Sequence, residues 1–395
     1  MRLNGAVTQR RQSKKLSERD LRHWELVQTF CEVFEQLAGA SELPPTLSDP
    51  RRKHYLGPYL GLLLLGLVNP VVETMRGLCQ ASELKAVQDL VGGPALNPAT
   101  FSEMQSVLDP EVLHQVFVEV AHQSTSAGIV PDPRLARLDL VAQDGSLWRA
   151  LPRMSWAHYG VGADGRAKGV RLHLRFHLVK AVPCEATVTE GKSCERDALR
   201  QMLRAGQINV GDRLYGKSYQ LLRQVDQAGA FFVFRLHDDC VINEQEALPI
   251  TPAEALLGVV RHAWVRLGFY EDKRSIRLRL VEIQAPTQRL LLATNLPVQE
   301  ASAELIGLIY RRRWQIELFF RWIKCILGHR HLFAESPAGV AIQMYLALIA
   351  SLLLQLYTGK RPNKRQFEAI QFFLMGWATR EELATLLKQA EPKKR

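Results

Sequence analysis

The chain has 395 residues, of which 47% are hydrophobic, so it is long enough for two or three domains with a sizeable core. Lys and Arg outnumber Asp and Glu by 51 to 40, and the formal net charge of +11 favours a polyanionic partner, nucleic acid first, over an acidic or neutral one. The six cysteines form no C-x-x-C pair, which is not the pattern of a zinc ribbon or a disulfide framework. The basic N-terminal residues precede no apolar segment, so we expect a cytoplasmic, nucleoid-associated protein without a secretory signal.

Two apolar stretches, 59–72 and 340–357, are candidates for membrane-spanning helices. The first is short and interrupted by Pro70, and the second contains Gln343 and Gln355. We therefore expect buried core helices and no membrane partner. The alternative is a membrane protein built around the second stretch.

Residues 1–133 are predicted to be helical, because apolar residues recur at helical spacing at 21–37 and at 111–122. Pro131 and Pro133 end this region, and the periodicity becomes strand-like from Leu135 onward. One strand is predicted to end near Asp144. Four more strands are predicted at 170–178, 186–189, 208–211 and 231–235, and helices at 195–204 and 217–228. Further strands are predicted at 263–267, 276–283 and 290–293, followed by a long helix at 302–327 and a helical C-terminal region.

Several residues in these strands have two interpretations. In 170–178, Leu and Phe alternate with Arg and His, which predicts a half-buried strand with an exposed polar face. A metal site at His173 and His177 is disfavoured, because that face also carries arginines. Arg277 and Arg279 lie on either a solvated sheet face or a DNA-facing surface. For Trp264 and Phe269, core packing is favoured over stacking on an unpaired base.

The segment 310–324, YRRRWQIELFFRWIK, is the strongest local signal. On a helix that turns about 100° per residue, positions separated by three, four and seven share a face. The polar stripe consists of Tyr310, Arg313, Glu317 and Lys324, and the neighbouring apolar stripe of Ile309, Ile316, Phe320 and Ile323. The apolar stripe is predicted to bury the helix in a core. The alternative is that Arg313 and Glu317 are only a solvated i,i+4 pair.

Two aspartates are predicted at strand ends that could face this helix. Asp144 lies in LDLVAQDGSLW, and Asp212 lies in INVGDRLYGKSY just before a helix. Each could alternatively cap a helix or begin a turn. The combination of both aspartates with Glu317 favours a shared carboxylate site.

Together these motifs resemble the DDE transposases of bacterial insertion sequences, specifically the type-four group with a Y-x2-R-x3-E-x6-K signature. Tyr310, Arg313, Glu317 and Lys324 match the signature without a gap. DGS at Asp144 resembles the first-aspartate motif of the family, and GDRLYGKSYQLL followed by FFVFRL resembles the second. The resemblance spans residues 135–331. Leu214 departs from it, because the family commonly has glycine after Asp-Arg.

The resemblance implies an α/β fold with a ribonuclease-H-like mixed-sheet catalytic core and a β-rich insertion, flanked by helical N- and C-terminal regions. We expect a helical region that binds DNA ends at 1–133 and the first part of the core at 134–235. The insertion is expected at 236–300, the core helix that carries Glu317 at 301–335, and a helical C-terminal region at 336–395.

The resemblance also implies a metal-dependent transposase that cleaves at transposon ends and joins the 3′-hydroxyl ends to target DNA. Asp144, Asp212 and Glu317 would hold two Mg²⁺ or Mn²⁺ ions per active site, because hard cations prefer carboxylate oxygens. Tyr310, Arg313 and Lys324 would bind the DNA. The expected partners are terminal inverted repeats and target DNA, bound by a homodimer assembled on DNA. The alternatives are an inactivated copy that acts as a non-catalytic DNA-binding protein or repressor, and a nuclease that cuts without joining.

Overall fold

The protein is described by a computed structural model over residues 50–69, 71–72, 74–124, 132–159, 168–268, 275–285, 288–327, 332–375 and 377–389. The predicted helix at 21–37, the basic N-terminal residues, and Phe269 lie outside these described residues. The chain divides into two compact units, one comprising residues 1–112 and 362–395 and the other residues 113–361.

The described part of the first unit is helical. The side chain of Thr74 accepts a hydrogen bond from the Gly77 amide and that of Asn97 from the Thr100 amide, so each caps the helix that follows it. Leu60, Leu65 and Phe101 are fully buried and belong to its core. Its helices are α1 (Pro50–Val68), α2 (Met75–Ser82), α3 (Lys85–Val91), α4 (Pro98–Val107), α13 (Lys364–Leu374) and α14 (Arg380–Gln389).

The second unit is built on a nine-stranded mixed sheet with the order β3-β2-β1-β4-β5-β9-β8-β7-β6. The strands are β1 (Leu140–Arg149), β2 (Gly169–His177), β3 (Val182–Glu190), β4 (Ile208–Gly211), β5 (Phe231–Arg235), β6 (Ile242–Ala247), β7 (Val259–Leu267), β8 (Leu278–Gln284) and β9 (Arg289–Thr294). Strands β1, β2 and β3 are antiparallel neighbours, whereas β4 and β5 continue from β1 in parallel. This is the ribonuclease-H-like arrangement, so the predicted fold class is confirmed.

The remaining strands extend the same sheet. Strand β9 pairs antiparallel with β5, and β8, β7 and β6 follow as an antiparallel meander. The helices of this unit are α5 (Pro110–Gln123), α6 (Glu195–Gln201), α7 (Arg213–Gly216), α8 (Tyr219–Gln227), α9 (Pro252–Leu256), α10 (Ala303–Arg312), α11 (Trp314–Cys325) and α12 (Pro337–Thr358). The predicted strands at 208–211 and 231–235 have the observed bounds, whereas β6 was not predicted.

Strand β1 is longer than predicted. It continues past Asp144 to Arg149, because its second half pairs with β2 in a long antiparallel ladder. Its parallel pairing with β4 ends earlier, at Ala142 and Val210. Asp144 therefore lies within a strand, at the point where only one neighbouring strand remains beside it.

The prediction of an exposed polar face on β2 is wrong. His173 and Arg175 are only 3% and 1% exposed, and polar groups on neighbouring elements bind part of each side chain inside the fold. The Arg175 guanidinium donates to the Met202 carbonyl and to Asn209 Oδ1, and His173 Nε2 hydrogen-bonds to Thr189 Oγ1 at 2.9 Å. Burial lowers the pKa of His173 to about 4, so its ring is neutral at physiological pH.

Arg279 fits neither of its two interpretations, because it is fully buried and donates to the carbonyls of Leu296 and Pro297 at 2.9 and 3.1 Å. Arg277 is exposed, and its guanidinium carbon lies 5.0 Å from the centroid of the Trp264 ring. A cation thus covers the face of Trp264.

The predicted long helix consists of α10 and α11, joined through Arg313, whose backbone remains helical at φ −51° and ψ −34°. Ser302 caps its start by accepting from the Leu305 amide. The predicted apolar stripe is buried, with Ile309 and Ile316 at 0% exposure. This burial fixes the rotation of the helix about its axis.

The apolar stretch at 340–357 forms most of helix α12. Residues 337–356 are long and apolar enough to cross a membrane, but 89% of their most apolar window is buried inside the structure. Gln343 and Gln355 are buried with it, and Gln343 Oε1 accepts from the Phe333 amide at 2.8 Å. These features are those of a core helix.

Candidate active site

Asp144 and Asp212 lie just beyond the point where the adjacent parallel strands β1 and β4 stop pairing. Asp144 stands two residues beyond Ala142 in β1, and Asp212 stands two residues beyond Val210 in β4, where the pairing of these strands ends. Burial raises the pKa of Asp144 to about 7, and the negative charges of Glu195 and Asp212 add to the rise. The Gly145 amide donates to Asp144 Oδ1 at 2.8 Å and opposes the rise. The two predicted aspartates therefore share one electrostatic environment.

Asp212 is also the N-cap of the short helix α7. Its Oδ1 accepts from the Leu214 amide at 2.8 Å, so the capping alternative for this aspartate describes a real contact. Capping uses one oxygen and orients the carboxylate, which is compatible with a second role. Leu214 lies in the turn of α7 and does not need a positive φ, so its departure from the family pattern costs no backbone strain.

Tyr215 lies behind the aspartates and is 2% exposed. Burial raises its pKa well above the usual value, and the charges of Glu195, Asp144 and Asp212 raise it further. The side chain is consequently a neutral phenol that can donate a hydrogen bond, and its hydroxyl lies 3.5 Å from Glu195 Oε2. Sequence reasoning did not single out Tyr215.

Glu317 projects from α11 and is paired with Arg313, as the spacing predicts. The pair is only partly solvated, since the Arg313 and Glu317 side chains are 12% and 31% exposed. The charge of Arg313 also lowers the pKa of Asp144, so this guanidinium lies in range of both carboxylates. Its carbon is 5.8 Å from the Tyr310 ring centroid. Arg313 thereby links the helix motif to the aspartates.

Lys324 lies two turns beyond Glu317 on the same face. Its Nζ donates to Ser146 Oγ at 2.7 Å and to the Leu147 carbonyl at 2.8 Å, and it lies 4.2 Å from the Trp148 ring centroid. Burial lowers its pKa from the usual value. The helix that carries Glu317 is therefore fastened to the strand that carries Asp144.

Sequence reasoning missed Glu195, the first residue of α6. It ion-pairs with Arg171 of β2, and both side chains are mostly buried. The one sequence feature connected with Glu195 is the glycine after Asp144. A Cβ at position 145 would lie 2.6 Å from Glu195 Cδ, so a side chain there would collide with the carboxylate. A larger residue at Gly145 would therefore displace this carboxylate.

Within the described residues, no three His, Cys, Asp or Glu side chains lie close enough together to form a ready metal site. The donor chemistry nevertheless suits a hard divalent cation, because Asp144 and Asp212 bring carboxylate oxygens and negative charge to one place. The raised pKa of Asp144 reflects its burial first and the neighbouring negative charges second, and a cation would offset both. Glu317, which Arg313 now holds, would complete the set.

Comparison with known proteins agrees with the motifs. A family model described as "Transposase DDE domain" matches residues 136–353, more than half of the chain. A Geobacillus stearothermophilus protein described as "Probable transposase for insertion sequence element IS5377" is 31% identical over 204 residues, 51% of this chain and 52% of that protein. An Escherichia coli protein described as "Transposase for insertion sequence element IS421" is 32% identical over 228 residues, 47% of this chain and 59% of that protein. The chain thus spans between half and three fifths of the length of these relatives.

Among solved structures, the chain is similar to the cryo-EM structure of a piggyBac transposase synaptic complex with hairpin DNA. The TM-score is 0.40 and the identity 10%, over 96% of this chain and 82% of that one. A likeness at this level supports no inference about the site.

Proposed function

This chain belongs to the family of transposases with a DDE domain, and from that premise we propose that it is a cut-and-paste DNA transposase. It would cleave DNA at the ends of its insertion sequence and join the 3′-hydroxyl ends to target DNA. The observation that carries the proposal is the shared electrostatic environment of Asp144 and Asp212, to which Arg313 connects Glu317.

We propose that Asp144, Asp212 and Glu317 hold the divalent ions. Two such ions, about 4 Å apart, would stabilise charge on the attacking and leaving oxygens of the phosphodiester. Each carboxylate comes from a different element, β1, the turn after β4, or α11, and the sheet and the buried stripe of α11 support these elements. Rigid support of this kind suits a reaction that depends on positioning.

We assign Tyr310, Arg313 and Lys324 to DNA binding beside the scissile phosphate. Arg313 cannot serve Glu317 and a phosphate equally well, so we propose that it exchanges partners. The guanidinium of Arg313 neutralises Glu317 in this structure; a cation held by Glu317 would take over that role, and the guanidinium would then be available for two hydrogen bonds to phosphate. The Arg313 side chain is only 12% exposed. In such a partly buried place, exchanging one charged partner for another is favoured over leaving a charged group unpaired.

We propose that residues 1–133 bind the DNA ends, that 236–300 is the insertion, and that the protein acts in the bacterial cytoplasm as a homodimer assembled on DNA. The net charge of +11 supports a polyanionic partner. DNA binding should therefore weaken steeply with added salt.

The test uses the full chain, DNA that contains the ends of the insertion sequence, and Mg²⁺. Wild type should nick the DNA at the element boundary and transfer the 3′ ends to a target plasmid, whereas Asp144→Asn and Glu317→Gln should do neither. Glu246→Gln is the matched control, because it removes an exposed carboxylate that pairs with Arg277 on the insertion. Cleavage that is equal in wild type and Asp144→Asn would refute the assigned site.

The same assay distinguishes the two alternatives. Cleavage without strand transfer would identify a nuclease. Specific DNA binding that survives Glu317→Gln, with no cleavage by wild type in either Mg²⁺ or Mn²⁺, would identify a non-catalytic DNA-binding protein.

A further inference from the structure

Arg235, the last residue of β5, lies level with the two aspartates in the sheet. The residue of β4 that pairs with Ala142 of β1 also pairs with Val233 of β5. Two positions farther along, the three neighbouring segments reach Asp144, Asp212 and Arg235, and the backbone is still extended at Asp212. Residues two apart in an extended chain point to the same face. The two aspartates and the arginine therefore form one row on one face of the sheet.

This face of the sheet also carries the helix motif. Phe234, the sequence neighbour of Arg235, points the other way and belongs to the apolar core on the opposite face. On the face of the row, Lys324 of α11 donates to the β1 hydroxyl two residues beyond the first aspartate, and α10 packs against β4 and β5. Burial raises the pKa of Tyr310 in α10, and the positive charges of Arg313 and Arg235 oppose that rise. Arg235 therefore lies near the residues assigned to DNA.

Arg235 is half-buried and has no carboxylate partner among the described residues. Its Nε is buried and has no hydrogen-bond partner in this part of the chain, while its Nη2 donates to the Arg289 carbonyl at a long 3.5 Å. Two nearby arginines differ in this respect. Arg289 pairs with Glu282 at 2.7 Å. Arg313 pairs with Glu317. A purely structural arginine would use its donors in the same way, so the unused donors of Arg235 indicate a ligand with acceptor oxygens.

We propose that Arg235 binds a backbone phosphate of the DNA end, next to the scissile phosphate and on the Asp212 side of the row. This inference rests on the proposed function, because it adds a positioning residue to the same site. Neighbouring strands are about 4.8 Å apart, so Arg235 lies one strand from Asp212 and two strands from Asp144. A phosphodiester held at the aspartates therefore has its neighbouring phosphate within reach of the guanidinium, which can grip it with two donors.

The two arginines of the site differ in what they need before they can bind phosphate. Arg313 is paired with Glu317 and becomes available only when a cation replaces it. Arg235 has no carboxylate to leave within the described part of the chain. Arg235 should therefore contribute to DNA binding in the absence of divalent cations, whereas Arg313 should not.

The test is binding of end-containing duplex DNA by the full chain in a chelator, measured by fluorescence anisotropy between about 50 and 200 mM salt. Arg235→Gln should weaken binding about fivefold at the low-salt end. It should also reduce the slope of log K against log salt by about 1, the contribution of one phosphate contact. Arg289→Gln is the matched control, because this arginine already makes two hydrogen bonds to Glu282. That variant should keep the slope of wild type.

Wild-type affinity and slope in Arg235→Gln, or a lower Tm with an unchanged slope, would overturn the proposal. If Arg235→Gln does not fold, Arg235→Met retains the packed stem of the side chain without its charge. DNA with one neutral methylphosphonate next to the cleavage position then gives a second reading. It should weaken binding by wild type but not by Arg235→Met, and equal losses in both would reject the assignment. Since no cleavage is measured, these results are independent of whether the protein cuts transposon ends.

Discussion

Two buried charged clusters in the sheet-containing unit differ in how their charges are neutralised. Around Arg175, Glu185 pairs with His114 at 2.6 Å and with Arg204 at 3.1 Å, and these partners outweigh burial and lower its pKa. Around Asp144, burial and two further carboxylates raise the pKa to about 7. Glu185 and Asp144 are both partly buried, so burial alone does not distinguish the two clusters. Neutralised charge is what a fold needs for stability, whereas unneutralised charge indicates a site prepared for a ligand.

The largest expected difference between the clusters is in catalysis. Asp144→Asn should reduce cleavage of end-containing DNA by about a thousandfold or more, the scale on which a charge-stabilising group acts. Glu185→Gln should retain cleavage within a few fold when assayed well below its Tm. Initial nicking rates under identical Mg²⁺ concentrations measure both. A comparable loss in both variants would remove the functional distinction between the clusters.

Stability should change in the opposite sense. Glu185→Gln leaves His114 and Arg204 without their carboxylate and should cost about 1–3 kcal/mol in free energy of unfolding. Asp144→Asn removes an unneutralised buried charge and should raise the Tm of the metal-free protein at pH 8. Thermal unfolding in the presence of a chelator measures both, and a lower Tm for Asp144→Asn would contradict the comparison.

The pH dependence of stability should follow Asp144. Its pKa is about 7 in the fold against a reference value of 3.8, so the folded state retains a proton that the unfolded chain has lost. The contribution of Asp144 is therefore fully present below about pH 4 and is lost as the pH rises through 7. Unfolding in chelator from pH 5 to pH 8 should show a larger decrease in free energy for wild type than for Asp144→Asn. Parallel pH profiles would argue against the raised pKa.

The smallest effect is expected at Gly145. In Gly145→Ala, the new Cβ would meet the Glu195 carboxylate at 2.6–2.7 Å, so the carboxylate must shift, and the free energy of unfolding should fall by about 1 kcal/mol. Gly57→Ala is the control, because a Cβ there would meet only the Val91 carbonyl oxygen at 4.0 Å. An unchanged free energy of unfolding in Gly145→Ala would show that the Glu195 carboxylate can move aside without cost.

Much of the core could be predicted from the sequence, because its signals are local. Strands β4 and β5 are short apolar runs bounded by turn residues, and the helix motif repeats at helical spacing. Strand β6, INEQEA, lacks apolar alternation and forms only through its pairing with β7 at the edge of the sheet. Local periodicity cannot predict a strand of that kind.

The remaining errors have a common physical cause. Arg175 and Arg279 were predicted to lie on exposed or open faces, yet both are buried, and each donates to a backbone carbonyl that is distant in sequence. Glu195 was missed for the same reason, since its proximity to Asp144 depends on how α6 packs against β1. A single sequence indicates which residues are charged but not which distant groups neutralise them.

The contact of Lys324 with β1 gives the interval between Glu317 and Lys324 a structural meaning. Seven residues make nearly two full turns, so Glu317, which pairs with Arg313, and Lys324, which contacts Ser146 and Leu147, share one side of α11. Inserting or deleting a single residue between them would rotate one relative to the other by about 100° and break either the anchor or the carboxylate set. The seven-residue spacing is thus set by contacts in the folded protein. We expect it to tolerate changes of residue type but not of length.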